Sequence, residues 1–303
     1  MVYYIGESLS KVRIFFVYRG MAILSSLSAS DRFFSFFHRP FSQKGQGFLG
    51  LDIGSSSIKG VELVKKGAQA LLKTYGEVTI PEWRREHGLT EGNPGVDELA
   101  MMVRDLLKAA RADSRDAYVS MPVARSFIIP TEFPKHLSDD ELARAIPFEA
   151  RRFIPSPLEE VVLNWRIIGG EGRDDAVKTR VLLIALPKDT ISSLHSIVEK
   201  AGLNFRGVEL ETYSIIRAGI LPQEKKEFLL FDFGAMRTTL ALVVGGEIYG
   251  LQSITQGTVD LVVSLARSLS VNSERAEELM RTHGVSGRSE EREIGQVISP
   301  LID

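Results

Sequence analysis

The sequence has 303 residues, enough for about two domains or one large two-lobed one. Hydrophobic residues make up 44% and charged residues 25%, which is typical of a globular protein with ample core material. The net charge of −2 gives no polybasic signature for nucleic acid, and the absence of cysteine excludes disulfides, zinc–thiolate sites, iron–sulfur clusters and cysteine nucleophiles. The five histidines are scattered without an H-E-x-x-H pattern, so a metalloprotease is excluded too.

Residues 1–46 form a leader of distinct composition. They hold ten of the 25 aromatic residues and a net charge of +4, whereas the rest of the chain carries −6. No apolar run in the leader approaches the roughly 20 residues that span a bilayer. Two interpretations stay open: an aromatic and basic segment at an anionic membrane surface, or a disordered or peripheral leader. We favour the second.

An internal repeat organises the remainder of the chain. Residues 48–64 align without a gap with residues 228–244, at a constant offset of 180 positions. Each copy is a short apolar strand, an Asp-x-Gly, small and hydroxyl residues, and a second apolar strand. Tight glycine turns follow at Gly67 and at Gly245, so both copies are predicted to be β-hairpins. One Asp-x-Gly-Ser is a common strand-and-turn pattern, but a second gapless copy favours a duplicated functional unit.

The repeated pattern carries the residue types that bind a polyphosphate. An aspartate at a strand end can hold Mg²⁺, and the following glycine lets backbone N–H groups approach a phosphate. Hydroxyls and a lysine add hydrogen-bond donors and positive charge. The candidate metal ligands are Asp52 and Asp232, and the candidate cofactor-binding residues are Asp52, Gly54, Ser55, Ser56, Ser57, Lys59, Asp232, Gly234, Thr238 and Thr239. Two such hairpins facing each other would clamp a polyphosphate.

The segments between and after the hairpins alternate helices and strands. The capping box Ser138–Glu141 opens one helix, which Pro147 is expected to kink or split. Strands are predicted over 117–121, 126–133, 161–168, 179–186 and 205–210. Helices are predicted over 96–111, 138–153, 189–201, 211–221, 257–270, 274–283 and 290–303.

Two Asp-x-Gly hairpins, an inserted small domain and a connecting helix together resemble the actin-like ATPase superfamily. The stretch 149–161 narrows the resemblance, since its E-A-x-x-F-I-P-x-P-x-x-E-V pattern is similar to a characteristic segment of the type IV pilus assembly protein PilM family. The resemblance covers about residues 48–303 and depends on three separate motifs.

The resemblance implies an α/β protein with an actin-like (ribonuclease H-like) two-lobed fold and an inserted FtsA-type small α+β subdomain. The printed sequence ends at Asp303, before the glycine-rich adenine loop of the family, so we expect the second lobe to be incomplete and its sheet edge exposed. The expected divisions are the leader 1–46, the first lobe 47–120, the inserted subdomain 121–203, and the connecting helix with the partial second lobe 204–303.

The resemblance also implies a function: an ATP- and Mg²⁺-binding cytoplasmic scaffold, peripheral at the inner membrane, within the type IV pilus assembly platform. Its groove would take the cytoplasmic tail of a PilN-like membrane protein, with other platform proteins and pilus motor ATPases as further partners. By position, Glu211 matches the water-orienting residue of the superfamily, and Gly257 and Glu277 match nucleotide-contacting positions. Any catalysis would be a slow ATPase. The groove candidates Phe153, Ile154, Leu158 and Val161 fit core positions equally well.

Two departures from the family pattern keep alternatives open. Gln256 replaces the first glycine of a usual Gly-Gly pair, and Met280 stands at the usual lysine position of a nucleoside-contacting helix. We therefore expect phosphate recognition to survive better than base recognition. The alternatives are a phosphotransferase of the same fold, such as a sugar kinase, an FtsA-like division protein, and an actin-fold adaptor without nucleotide.

Overall fold

A computed structural model of the chain describes residues 2–4, 13–18, 47–66, 69–87, 89, 92–168, 178–219 and 227–283. The strands are β1 (Val2–Tyr4), β2 (Arg13–Tyr18), β3 (Gly47–Ile53), β4 (Ser57–Lys66), β5 (Gln69–Thr79), β6 (Asp116–Met121), β7 (Phe127–Pro134), β8 (Val161–Ile167), β9 (Lys178–Pro187), β10 (Asn204–Leu210), β11 (Glu227–Phe233), β12 (Thr238–Val244) and β13 (Glu247–Ile254). The helices are α1 (Ile80–Glu86), α2 (Val96–Ala109), α3 (Asp139–Ala150), α4 (Lys188–Lys200), α5 (Glu211–Gly219), α6 (Thr258–Leu269) and α7 (Ser273–His283).

The first lobe is a five-stranded sheet in the order β10-β6-β3-β4-β5. β3, β4 and β5 form an antiparallel meander, while β6 and β10 run parallel to β3. The alternation in β3 buries Leu49, Leu51 and Ile53, which share a core with the apolar face of α2. Helix α4 packs beside α2 and against β10.

The second lobe repeats this plan, which confirms the predicted duplication. β11, β12 and β13 form an antiparallel meander followed by α6, just as β3, β4 and β5 are followed by α1. The sheet continues on the other side of β11 with β2 and β1, in the order β1-β2-β11-β12-β13.

The position of β2 corrects the expectations for the leader and for an exposed edge. β2 pairs in parallel with β11, as β6 does with β3 in the first lobe. Part of the leader is therefore ordered as strands rather than disordered. The physical reason is that the edge of β11 presents a row of backbone donors and acceptors, which a parallel neighbour satisfies.

The inserted subdomain is the three-stranded sheet β7-β9-β8 covered by α3. Leu142, Ile146 and Ala150 form the buried stripe of α3 against this sheet. The predicted capping box is confirmed, since Ser138 and Glu141 exchange hydrogen bonds at the helix start.

Two expectations about this region differ from the structure. The inserted sheet ends with β9 at Pro187, whereas α4 and β10 join the first lobe rather than the inserted subdomain or the second lobe. Pro147 neither splits α3 nor ends it, because the helix runs from Asp139 to Ala150 and only one backbone donor is lost at the proline. The expected helix over 290–303 and the turn at Gly67 lie outside the described residues.

One continuous hydrophobic cluster connects the two lobes. Tyr213 and Ile216 of α5 share it with Phe228 and Leu230 of β11 and with the side chains of the first lobe. Helix α5 thus packs into the core that both lobes share. Among the described residues, the helices are too short or too polar to cross a bilayer.

Candidate functional site

The first Asp-x-Gly turn joins β3 to β4. The Gly54 N–H donates to the Ser57 carbonyl at 3.0 Å, which closes the turn. The Ile80 N–H at the start of α1 donates to the Ser56 carbonyl at 2.8 Å, so the helix is tied to the turn. Ser55 is exposed, Ser56 is half-buried and Ser57 is buried. The first two are therefore the hydroxyls that a ligand reaches most easily.

A polar row crosses the first-lobe sheet beside this turn. Asp52 and Lys59 are register partners on β3 and β4, and Lys59 is in turn opposite Glu77 on β5. The Lys59 ammonium lies 2.8 Å from the Ser57 hydroxyl oxygen and 3.3 Å from the Glu77 carboxylate. Glu77 therefore offsets part of the positive charge that the sequence assigned to the phosphate.

Ser120 completes the row and was missed by the sequence analysis. Its hydroxyl donates to the Asp52 carboxylate at 2.5 Å and so orients it. The signal was present, because Ser120 lies near the end of β6, which runs parallel beside β3, and parallel strands bring their carboxyl ends to the same sheet edge.

The second turn, between β11 and β12, has the same backbone design. The Gly234 N–H donates to the Arg237 carbonyl at 2.8 Å. The first N–H groups of α6, from Thr258 and Val259, donate to the carbonyls of Gly234 and Ala235, both at 3.0 Å. Both predicted turns thus have a helix start docked on them.

Gly257 is required by the close approach of the β13–α6 junction to the second turn. A Cβ there would lie 2.3 Å from the Ala235 carbonyl oxygen and 2.7 Å from the Arg237 nitrogen. Its φ of −145° is open to any residue, so space rather than backbone conformation demands glycine. At Gln256 only the carbonyl is used, as acceptor of the Thr238 hydroxyl at 2.8 Å. The departure at position 256 therefore leaves this contact intact.

A polar row also crosses the second-lobe sheet beside the second turn. Asp232, Thr239 and Ser253 are register partners across β11, β12 and β13. Asp232 and Thr239 are buried, at 4% and 6% exposure, and the buried Ser253 hydroxyl lacks a hydrogen-bond partner. The Thr238 hydroxyl donates to the Gln256 carbonyl, and its predicted contact with a phosphate stays a prediction.

Two further candidate residues belong to helices rather than to the turns themselves. Glu211 begins α5, and its carboxylate accepts the Val123 N–H at 3.0 Å, which ties the connecting helix to the start of the inserted subdomain. Glu277 is exposed on α7. Met280 packs with the small α6–α7 core around Leu265 and Ala276, so it occupies an apolar position.

The candidate groove residues divide between core and surface. Ile154 and Val161 are buried in the core of the inserted subdomain, and Leu158 packs against the same core. Phe153 is 46% exposed, with the Arg152 guanidinium 5.7 Å above its ring. The plain-core interpretation therefore holds for the first three.

Each of the two turns carries residue types that suit a magnesium–polyphosphate. Within the described residues, the His, Asp and Glu side chains form no cluster of three or more that could hold a metal ion by themselves. Mg²⁺ ordinarily takes one or two carboxylates together with phosphate oxygens and water. Asp52 and Asp232 supply such carboxylates, while Ser55, Ser56 and Lys59 supply hydroxyls and a charge.

Two lobes built on a repeated meander and helix, each with an Asp-x-Gly turn, define a protein of the actin-like ATPase fold. The profile of the family described as Type IV pilus assembly protein PilM matches residues 50–297. The chain therefore belongs to the PilM family of type IV pilus assembly proteins.

Several solved structures are similar to this chain. A structure described as the PilM-PilN type IV pilus biogenesis complex is 25% identical, with a TM-score of 0.65, covering 84% of this chain and 73% of its own. The ethanolamine utilization protein EutJ from Carboxydothermus hydrogenoformans is 15% identical over 88% of this chain and 70% of its own, with a TM-score of 0.49. The cytoplasmic domain of EpsL from Vibrio cholerae is 13% identical over 75% of this chain and 78% of its own, with a TM-score of 0.45.

Proposed function

We propose that this chain is an ATP-binding scaffold of the type IV pilus assembly platform that docks the cytoplasmic tail of a PilN-like inner-membrane protein. The observation that carries the proposal is the pair of Asp-x-Gly turns, closed by the same hydrogen bond and docked by a helix start, within a chain of the PilM family. The protein would work at the cytoplasmic face of the inner membrane.

The two turns would hold the phosphates of ATP from opposite lobes. Asp52 and Asp232 would hold the magnesium ion, which neutralises phosphate charge when bound. Ser55, Ser56 and Lys59 would contact phosphate oxygens from the first lobe. Thr239 would add a hydroxyl from the second lobe. Bound nucleotide would favour whichever lobe arrangement binds it more tightly, and that differential affinity is what could alter a partner surface.

Docking of an extended tail is supported by the edge of the inserted sheet. β8 is an outer strand of the order β7-β9-β8, and Val162 on it is 40% exposed. An edge strand with exposed apolar side chains can accept an extended peptide by strand addition. The PilM-PilN complex among the similar solved structures makes a PilN-like tail the first partner to test.

The proposed binding of ATP is tested by calorimetric titration of Mg-ATP into the wild type and into the variants Asp52→Asn and Asp232→Asn. Each variant keeps the shape of the side chain and removes the charge, so we expect at least a tenfold loss of affinity, about 1.4 kcal/mol. The matched control is Asp97→Asn, an exposed first-lobe aspartate paired with Lys200. Unchanged affinity in both turn variants would remove the proposed site.

The proposed docking is tested with a peptide that has the sequence of the cytoplasmic tail of the candidate membrane partner. We expect it to co-purify with the full chain, and its affinity to change when Mg-ATP is added. Glu211→Ala, assayed for phosphate release in the same preparations, tests the predicted water-orienting role, and we expect it to lower the rate of release. Peptide that stays unbound under both conditions would contradict the docking proposal.

A nucleotide-free adaptor is the second candidate. It is favoured by Met280, which packs in the α6–α7 core at the position where the family has lysine. An adaptor would bind the tail peptide with one affinity, with and without Mg-ATP, and would give no calorimetric signal with nucleotide. The two titrations above therefore separate the candidates.

A further inference from the structure

The inserted sheet turns one face toward two different neighbours. On β9, Leu182, Ile184 and Leu186 alternate onto this face and are buried in the main core with first-lobe side chains. Further along the same face lie Arg180 and, opposite Leu182 on β8, Arg166. The apolar end of the face is thus anchored to the first lobe, and the other end is charged.

The charged end reaches the second lobe at β13. The Arg166 guanidinium lies 2.8 Å from the Glu247 carboxylate, and the Arg180 guanidinium lies 5.3 Å above the Tyr249 ring. Glu247 and Tyr249 both belong to β13, the strand that also contacts β7. These contacts join the inserted subdomain directly to the second lobe.

Tyr213 of the connecting helix α5 completes the contact. Its hydroxyl donates to the Glu247 carboxylate at 3.1 Å, and its ring lies under the Arg166 guanidinium at 5.4 Å. Tyr213 itself is 7% exposed and belongs to the core shared by both lobes. Three parts of the molecule therefore meet at one carboxylate: the inserted subdomain, the connecting helix and the second lobe.

The two attachments of the inserted subdomain differ in kind. Burial of apolar side chains against the first lobe keeps that end of the subdomain close-packed in the main core. The contact with the second lobe depends on the geometry of one ion pair, one hydrogen bond and two stacked guanidinium groups. Arg166 and Glu247 are 27% and 19% exposed, so water can replace either partner when they separate.

We propose that Arg166, Tyr213 and Glu247 form a latch that releases when the second lobe turns away from the inserted subdomain. Lobe position would then control how firmly the partner-binding subdomain is held, through a contact with two discrete states. The link from nucleotide to lobe position rests on the proposed function; the latch itself rests on the contacts above. Reciprocity requires that opening the latch also change nucleotide affinity.

The test exploits the absence of cysteine from the chain. Spin labels on Glu159→Cys in the inserted subdomain and Arg281→Cys on α7, both exposed positions, report the distance between the subdomain and the second lobe. Arg166→Gln removes the latch charge. The matched control is Arg206→Gln, because Arg206 makes an ion pair of the same 2.8 Å length with Asp116 entirely within the first-lobe sheet.

Without nucleotide, we expect a narrow distance distribution for the wild type and for Arg206→Gln, and one at least twice as wide for Arg166→Gln. Tyr213→Phe keeps the buried ring and removes only the hydroxyl, so it should give an intermediate width. Distributions for Arg166→Gln and Tyr213→Phe that match the wild type would overturn the latch.

Calorimetry with Mg-ATP on the same proteins separates this inference from the proposed function. When the wild type binds Mg-ATP, we expect the nucleotide to shift its distance distribution and Arg166→Gln to change the affinity at least threefold. Tight binding without either change would overturn the coupling while leaving the proposed function standing. Failure of the wild type to bind Mg-ATP would overturn the proposed function and its coupling, and the nucleotide-free distances would still decide the latch.

Discussion

The two Asp-x-Gly turns share a backbone and differ in chemistry. Both are closed by the glycine N–H and both have a helix start docked on them. Beside the first turn runs a charged row that includes Asp52, Lys59 and Glu77, whereas Asp232 in the second lobe has the neutral neighbours Thr239 and Ser253. The duplication therefore preserved the turn while the side chains around it diverged: the lysine of the first lobe lies on β4 beside its turn, whereas the second turn itself carries the exposed Arg237.

Two carboxylates, Glu62 in the first lobe and Glu247 in the second, have pKa values shifted in opposite directions. Burial raises the pKa of Glu62 on β4, but hydrogen bonds from Ser114, Lys73 and the backbone N–H groups of 113 and 114 outweigh burial and lower the pKa overall. Burial also raises the pKa of Glu247, and there Arg166 and Tyr213 only partly offset it, so the pKa stays raised. The hydrogen bonds of Glu62 therefore more than compensate for its burial. Those of Glu247, at the contact between the inserted subdomain and the second lobe, do not.

The largest effect is expected at Gly257. Gly257→Ala would place a methyl group against the Ala235 carbonyl, so the second turn or α6 must shift, and we expect a loss of about 3 kcal/mol in the free energy of unfolding. Urea denaturation measures it. Gly95→Ala is the control, because a Cβ there meets nothing within 4 Å. Equal stability of the two variants would show that the close approach at the second turn is not required.

Glu62→Gln should cost nearly as much, about 2–3 kcal/mol at pH 7. It removes a buried charged acceptor and turns an amide toward the N–H groups of 113 and 114. Because the folded pKa of Glu62 is lowered, its stabilisation is present above the ordinary value of 4.5 and is lost as the pH falls through the lowered pKa. The gap between wild type and variant, followed by urea denaturation, should close in acid. A gap independent of pH would contradict the ionised carboxylate.

For Glu247→Gln, the difference in the free energy of unfolding between wild type and variant should change with pH in the opposite direction and by a smaller amount. The folded pKa of Glu247 is raised, so its contribution is present below the ordinary value of 4.5 and is lost as the pH rises through the raised pKa. The wild type should therefore lose stability relative to the variant on going from acid to neutral pH. If the stability of the Glu62 and Glu247 variants relative to wild type varied with pH in the same direction, the opposite pKa shifts of the two carboxylates would be contradicted.

The fold was largely predictable because it depends on patterns that repeat. The gapless alignment of 48–64 with 228–244 predicted both hairpins, and alternation or helical spacing predicted most of the other helices and strands. The third strands of the two meanders, β5 and β13, and helix α1 were not predicted. The return of α4 and β10 to the first lobe and the pairing of β2 with β11 were missed because packing and strand pairing between distant segments decide them, which local spacing does not encode.

The candidate site was predictable in its backbone and less so in its partners. The turns were found because an aspartate and a glycine at a fixed spacing after an apolar strand are typical of a tight turn, which depends only on neighbouring residues. Ser120, which orients Asp52, comes from a strand 68 positions away, and Glu77 faces Lys59 through strand register. Thr238 was assigned to a phosphate, but its hydroxyl bonds the Gln256 carbonyl, a contact that only the folded loop creates.

The smallest expected effect concerns salt. Lys59→Met removes the ammonium group predicted to contact the phosphate, so Mg-ATP affinity should fall about threefold to tenfold in low salt, and the loss should be smaller in about 0.5 M salt. Thr239→Val removes a neutral hydroxyl, and its loss, about twofold, should not vary with salt. Calorimetry at two ionic strengths measures both. The same salt dependence for both variants would contradict a direct charge interaction between Lys59 and the phosphate.

A crystal structure with Mg²⁺ and a non-hydrolysable ATP analogue tests the central claim most directly. We expect the phosphates to lie between residues 54–57 and 234–239, with the carboxylates of Asp52 and Asp232 turned toward the same metal ion. A nucleotide bound elsewhere, or the two carboxylates on opposite outer surfaces of the molecule, would contradict it.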